Sequence, residues 1–395
     1  LRLLLLQSGK MKDLSIYFSP IQHDWNEVKG SIGEQVLSFD GEYFPEISKD
    51  AIVFFHVPEY RGQENQYEES SSRFNFREAF YRLSYGVGWN KQLIDLGNVL
   101  PGKTLEDTYF AVGQITAELI KHGCIPVILG GSQDLTIAMY KGYEQLEQTV
   151  NLCTIDYTYD LGSPDKPVSA SGYLANLLVQ RPCYLFNHSV IGVQAPYLIA
   201  EEQDLFDKLY FDACRLGEFN ADFKRAEPHL RNADILSLDL ESVKYSDLLD
   251  GNSCNPNGFT AQQICQLAKY AGVSDKLTSF GVFNYTGKSI LSSRLTAEIM
   301  WYFIDGVSQR KGDFPIGSKK SYSRFTVHLD DFKDEVVFYK SDKSNRWWME
   351  VPYPGTENSY YERHHMVPCD HEDYERAMRN ELPDLWWKTY QKISV

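Results

Sequence analysis

Between residues 51 and 283 the chain returns repeatedly to short, almost wholly apolar runs of strand length. They fall at residues 51–58, 125–129, 150–155, 235–240 and 277–283, and the first four are closed by a proline, a glycine pair or a carboxylate. A strand open to water on one face alternates apolar with polar residues. A strand buried on both faces is apolar throughout, as these are. Residues 92–96, ended by Gly97, and residues 189–193 read as two further strands. The stretches between them carry helical spacing. Thr104 and Asp107 stand at capping-box distance, Leu105, Tyr109, Val112, Ile115 and Leu119 share one stripe, and Gly123 supplies a stop. Residues 76–83, 261–270 and 296–304 read as helices on the same grounds. Strands alternating with helices predict an α/β fold, a three-layer α/β/α arrangement around a mainly parallel sheet. Ligands of such sheets sit beyond the carboxyl ends of the strands.

The texture changes after residue 305. Residues 325–329 and 335–339 flank an acidic turn and predict a hairpin, and residues 371–379 read as a helix. The chain therefore divides into an N-terminal segment 1–50, an α/β domain 51–305 and a C-terminal extension 306–395. Residues 1–10 read as a leader ahead of Met11, and the run Leu3 to Leu6 is too short to span a bilayer. The pairs Trp347-Trp348 and Trp386-Trp387 are expected to cover the extension's core. Its Tyr and Trp content also suits a protein interface.

Composition narrows the function classes. The 54 acidic and 39 basic residues give a net charge of −15. A general nucleic-acid binder needs a basic surface, and so does a protein that docks on anionic lipid. Seven cysteines, an odd number with no CxxC pair, predict reduced thiols and a cytoplasmic protein.

Three strand ends carry the candidate chemistry: Gly130-Gly131-Ser132-Gln133-Asp134, Asp156-Tyr157-Thr158-Tyr159-Asp160 and Ser237-Leu238-Asp239-Leu240-Glu241. Asp239 and Glu241 are two apart, so a continuing strand points both to one face. Asp156 and Asp160 bracket a strand exit. Carboxylates converging at the open end of a parallel sheet form a natural site for a hard cation.

The order and spacing of these pieces resemble the arginase/ureohydrolase superfamily, formimidoylglutamase-like members above all. The resemblance also takes in Pro58-Glu59-Tyr60-Arg61-Gly62, Leu93-Ile94-Asp95-Leu96-Gly97, Ser171-Gly172, Ile191-Gly192-Val193-Gln194, Gly258-Phe259-Thr260 and Thr296-Ala297. It implies an arginase-type fold. In that family the three strand ends read Gly-Gly-x-His, Asp-x-His-x-Asp and Ser-x-Asp-x-Asp. They bind two manganese ions, which activate a bridging water against a guanidinium or formimino carbon. Here Gln133 and Thr158 stand at the two histidine positions, Glu241 stands for the last aspartate, and Val282 falls where a glutamate holds the substrate's cationic group. No histidine lies between His122 and His188, so no small shift of alignment restores the ligands. Imidazole favours manganese, zinc and nickel, whereas an all-oxygen set favours magnesium and calcium.

The resemblance therefore implies a catalytically impaired relative, a pseudoenzyme that serves as a binding, scaffolding or regulatory protein. Its relict pocket comprises Gly130, Gly131, Ser132, Ser171 and Val282. Asp156, Asp160, Asp239 and Glu241 are either relics or the ligands of one magnesium or calcium ion, and no other cofactor is expected. One alternative is a metal-dependent C–N hydrolase with a rebuilt site, which alone calls for two manganese ions. Another is a sensor that holds a small ligand in the relict pocket. A protein partner is expected on residues 306–395, the family's habit suggests a homo-oligomer, and neither nucleic acid nor membrane is expected as a partner.

Three weaker signals take plainer readings. Gly287-Lys288-Ser289 ends like a phosphate-binding loop, but the glycine that pattern needs is Val282, so it reads as a polar loop. His364, His365, Cys369 and His371 lack structural-zinc spacing and read as a solvated turn before a helix. Asn187-His188-Ser189 and Asn284-Tyr285-Thr286 match the glycosylation sequon by chance.

Overall fold

A computed structural model describes residues 11–21, 28–63, 75–250, 255–330, 335–353 and 361–394. Ten strands form the larger sheet: β1 (Phe18–Ser19), β2 (Leu37–Ser38), β3 (Ile52–Val57), β4 (Leu93–Val99), β5 (Ile125–Gly130), β6 (Val150–Ile155), β7 (Leu185–Val193), β8 (Asp212–Arg215), β9 (Ile235–Asp239) and β10 (Ser279–Phe283). Their order is β1-β4-β3-β5-β10-β9-β6-β7-β8, with β2 also on β4. The β1–β4 pair is antiparallel and the others are parallel.

The pleat of each central strand divides its residues between two cores. Ile52, Phe54, Val127 and Leu129 face a core shared with the helices Ala261–Val273 and Ile290–Ser308. Val53, Phe55 and Ile128 face the opposite core, shared with the helices Leu105–Lys121 and Leu135–Gln145. This is the predicted three-layer α/β arrangement. The capping box of Thr104 and Asp107 is formed, and Gly123 turns with φ +82° just past the helix.

Several boundaries differ from the sequence reading. Strand β4 does not stop at Gly97 but runs on to Val99. Gly97 holds φ +87°, and its carbonyl takes a 2.7 Å hydrogen bond from the buried Arg77 guanidinium, which also clamps Asp95 at 2.6 Å. The helix read at 296–304 begins at Ile290, capped by Ser289 of the Gly287-Lys288-Ser289 loop. Among the described residues no helix is long and apolar enough to cross a membrane, and six cysteines are free.

The extension builds a separate antiparallel sheet from β11 (Tyr322–Val327), β12 (Val336–Ser341), β13 (Trp347–Glu350) and β14 (Met366–Cys369). The predicted hairpin is β11–β12, and residues 331–334 of its turn lie outside the described residues. Helices His371–Met378 and Asp384–Ser394 cover one face, with Phe338, Trp347, Met349 and Trp386 between.

One expectation about the extension is corrected and another holds. The His/Cys tract is no solvated turn, because His364, His365 and Cys369 are buried. His364 stacks on Phe186 with ring centroids 4.2 Å apart, and its Nε2 lies 3.1 Å from Thr149 Oγ1. The paired tryptophans cover the extension's core as expected, with Trp347, Trp348 and Trp386 buried and Trp387 42% exposed.

The other sheet face and the last helix dock beneath the α/β domain. Asp234, just before β9, takes Arg363 at 2.6 Å and lies 3.8 Å from the buried ammonium of Lys276. Asp212, the first residue of β8, takes Lys388 at 3.0 Å, and Lys392 donates to Asn187 of β7. Arg231 lies 4.7 Å over the Trp348 ring and donates to the Cys369 carbonyl at 2.7 Å. These contacts gather at the amino ends of β6–β10. The candidate carboxylates stand at the carboxyl ends, so the extension is anchored on the far side of the sheet from them.

Candidate functional site

Four neighbouring strands, β5, β10, β9 and β6, release their chains at the same end of the sheet. The turn after β5 is pressed against residues 58–62. A Cβ on Gly131 would sit 1.8 Å from the Glu59 carbonyl oxygen, so only glycine fits there. The Ser132 N–H donates to that same carbonyl at 2.8 Å. The loop is pinned in turn by the Glu59–Arg61 pair, whose guanidinium also reaches the carbonyls of Gly102 and Lys103 at 3.1 Å. Pro58-Glu59-Tyr60-Arg61-Gly62 is thus an anchor for the turn. Gln133 is buried behind it, and its Nε2 donates to Asp156 Oδ2 at 2.7 Å.

After β6, Asp156 closes a turn on itself. Its Oδ1 accepts the N–H groups of Tyr157 at 2.6 Å and Thr158 at 3.2 Å. Thr158 Oγ1 donates to Asp160 Oδ1 at 2.7 Å. Asp160 holds φ +48°, which sends the chain back toward Leu174. Burial, with the Asp156 charge behind it, raises Asp160 well above the ordinary carboxylate range, and burial raises Asp156 as well. Burial, and after it the charges of these acids, raises Tyr157 and Tyr173 as well.

After β9 the chain departs from the sequence reading. The strand stops at Asp239, and residues Leu240–Ser242 form one turn of 3-10 helix. Glu241 therefore does not share a strand face with Asp239. The cause is local: Asp239 Oδ1 captures the Glu241 N–H at 2.8 Å and caps the turn. Burial raises Asp239 well above its ordinary range, followed by the charges of Asp156 and Glu241.

After β10 the decisive residue is Asn284. It holds φ +59°, and its N–H donates to the Gly131 carbonyl at 2.6 Å. Its Nδ2 donates to Asp239 Oδ1 at 2.8 Å, and its Oδ1 accepts from Gln63 Nε2 at 3.2 Å. Val282 lies within the core, fully buried and in register with Leu129 and Leu238. Ser171 is exposed, whereas Gly130, Gly131 and Ser132 are buried at the site. The structure thus brings Gln133, Asp156, Thr158, Asp160 and Asp239 together. Asn284, Gln63, Tyr157 and Tyr173 are members that the sequence reading missed. An asparagine just past an apolar strand is a signal for the left-handed turn it makes, but here it was absorbed into a chance sequon.

No protein-family model and no curated protein matches the chain by sequence. Solved structures do match. Formimidoylglutamase from Bacillus subtilis superposes with a TM-score of 0.63 at 14% identity, over 73% of this chain and 97% of that one. Formiminoglutamase from Trypanosoma cruzi, crystallised with Mn2+, gives 0.58 at 17% identity over 66% and 95%. Agmatine ureohydrolase from Thermoplasma volcanium gives 0.56 at 16% over 71% and 95%.

The chain has the arginase/ureohydrolase fold. Identities this low speak to the fold and leave the chemistry to the site.

The donor set at that site does not match what two manganese ions need. It holds no imidazole, and its carboxylate oxygens accept bonds from Gln133, Thr158, Asn284 and three backbone N–H groups. Among the described residues, no three His, Cys, Asp or Glu side chains converge as a group able to hold a metal ion.

Proposed function

We propose that this chain is a catalytically disabled protein of the arginase fold that works by binding, as a scaffold or a regulatory partner. One observation carries the reading. At the two positions where the resemblance calls for imidazole, an amide and a hydroxyl are turned inward onto the carboxylates. The two-metal chemistry of the resembling family makes hydroxide near neutral pH only when both ions are held at fixed separation. Neutral amide and hydroxyl oxygens are poor substitutes for the lost ligands, and the two side chains are already engaged as hydrogen-bond donors, Gln133 through Nε2 and Thr158 through Oγ1. Val282 supports the same reading, because an apolar side chain stands where the resemblance calls for the carboxylate that receives a guanidinium or formimino group.

The test is turnover. Purified protein is incubated with manganese and, in turn, formiminoglutamate, arginine and agmatine, and released formamide and urea are measured. The reading predicts no release above the protein-free rate. Metal-dependent release that disappears in Asp156→Ala and Asp239→Ala would replace it with the hydrolase. Partners are best sought with surface substitutions on the intact chain. The extension shares buried ion pairs with the α/β domain, so deleting it exposes Asp234 and Asp212.

A further inference from the structure

The geometry points to a metal-independent polar strut: Gln133, Thr158 and Asn284 hold the carboxylate end of the sheet together through side-chain bonds, in the place where the fold's relatives are bridged by ions. The inference rests on the reading of the site as non-hydrolytic and goes beyond it, because it says what the altered residues do. Three facts carry it. Each substituent donates to a different acid: Gln133 to Asp156 at 2.7 Å, Thr158 to Asp160 at 2.7 Å, and Asn284 to Asp239 at 2.8 Å. Two of the bonds join separate elements, Gln133 after β5 to Asp156 after β6 and Asn284 after β10 to Asp239 at the end of β9, while the Thr158 bond fixes the loop after β6 on itself. Asn284 Oδ1 also accepts from Gln63 Nε2, which ties the segment after β3 to the β9–β10 side. A buried carboxylate left without donors is costly, so residues that donate to it stabilise the fold directly.

Asn284 is the most informative member. Its left-handed backbone is fixed independently of its side chain by the bond from its N–H to Gly131. Asn284→Gly keeps that conformation at little cost and removes only the amide. Thermal melting is measured for the wild type, Asn284→Gly and Gln133→Ala, each with EDTA, with manganese and with neither. The inference predicts a wild-type melting point that neither EDTA nor manganese moves, and a fall of about 2–6 °C in each variant. A wild-type melting point that drops in EDTA or climbs saturably with manganese would overturn it. So would variants that melt with the wild type. Failure here is separable from failure of the proposed function. A manganese-stabilised protein with no turnover sinks the strut alone, and turnover from a protein indifferent to EDTA sinks the binding-protein reading alone.

Discussion

The Gln133 amide and the Asp156 carboxylate, at the carboxyl ends of β5 and β6 with β10 and β9 between them in the sheet, are joined by a buried 2.7 Å hydrogen bond. The bond satisfies a charge that burial would otherwise penalise, and it does so with a neutral group. Gln133→Ala should therefore lower stability by about 1–3 kcal/mol in urea denaturation. Gln133→Glu should cost more, because it places another acid against Asp156. Equal stability for all three proteins would show that the bond contributes nothing.

Asp160 supplies a pH test. Its folded pKa is raised, by burial first and then by Asp156. A raised acid contributes stability fully below its unfolded value, about 3.9, and loses that contribution as pH rises through the folded value. Wild-type melting should thus decline as pH rises from 4 toward 8. Asp160→Asn mimics the protonated form, so it should flatten that decline and melt at or above the wild type at pH 8. A variant that melts below the wild type at pH 8 would mean that the ionised carboxylate is needed there.

At the other end of the sheet, Asp234 holds Arg363 at 2.6 Å and faces Lys276, whose ammonium burial pushes down to about 8. Removing one partner of such a buried group leaves the others uncompensated. Asp234→Ala should cost about 3–5 kcal/mol. Both sheets should melt in one transition, followed by tryptophan fluorescence of the extension and by far-ultraviolet circular dichroism of the whole. Two well-separated transitions would contradict a rigidly anchored extension.

Val282 marks the position where the family resemblance places a glutamate, yet it lies inside the core beside Leu129 and Leu238. Val282→Glu should destabilise the protein and leave it inactive toward guanidino compounds, because a carboxylate there is buried without a partner. A stable variant that binds agmatine in calorimetry would place Val282 on an open pocket instead.

The fold was legible wherever burial on both faces makes a strand mostly apolar, as at β3, β5 and β6. Legibility failed where a distant or local side chain overrides the pattern. Gly97 looks like a stop until Arg77 is seen taking its carbonyl, and Glu241 looks like a strand residue until Asp239 captures its N–H. His364 looks solvated because the groups that bury it, Phe186 and Thr149, are remote in sequence. At the site, Gln133, Asp156, Thr158, Asp160 and Asp239 could be named from strand ends and spacing. Asn284 could not, because its role depends on a turn conformation and on an acid from another strand.

The central claim is that this arginase fold holds its carboxylates with its own side chains. Its most direct test is the metal content of purified protein by mass spectrometry, after incubation with manganese, magnesium or calcium and removal of free ion. The account predicts that none of the three is retained in stoichiometric amount. Two manganese ions per chain, lost in Asp156→Ala or Asp239→Ala, would contradict it.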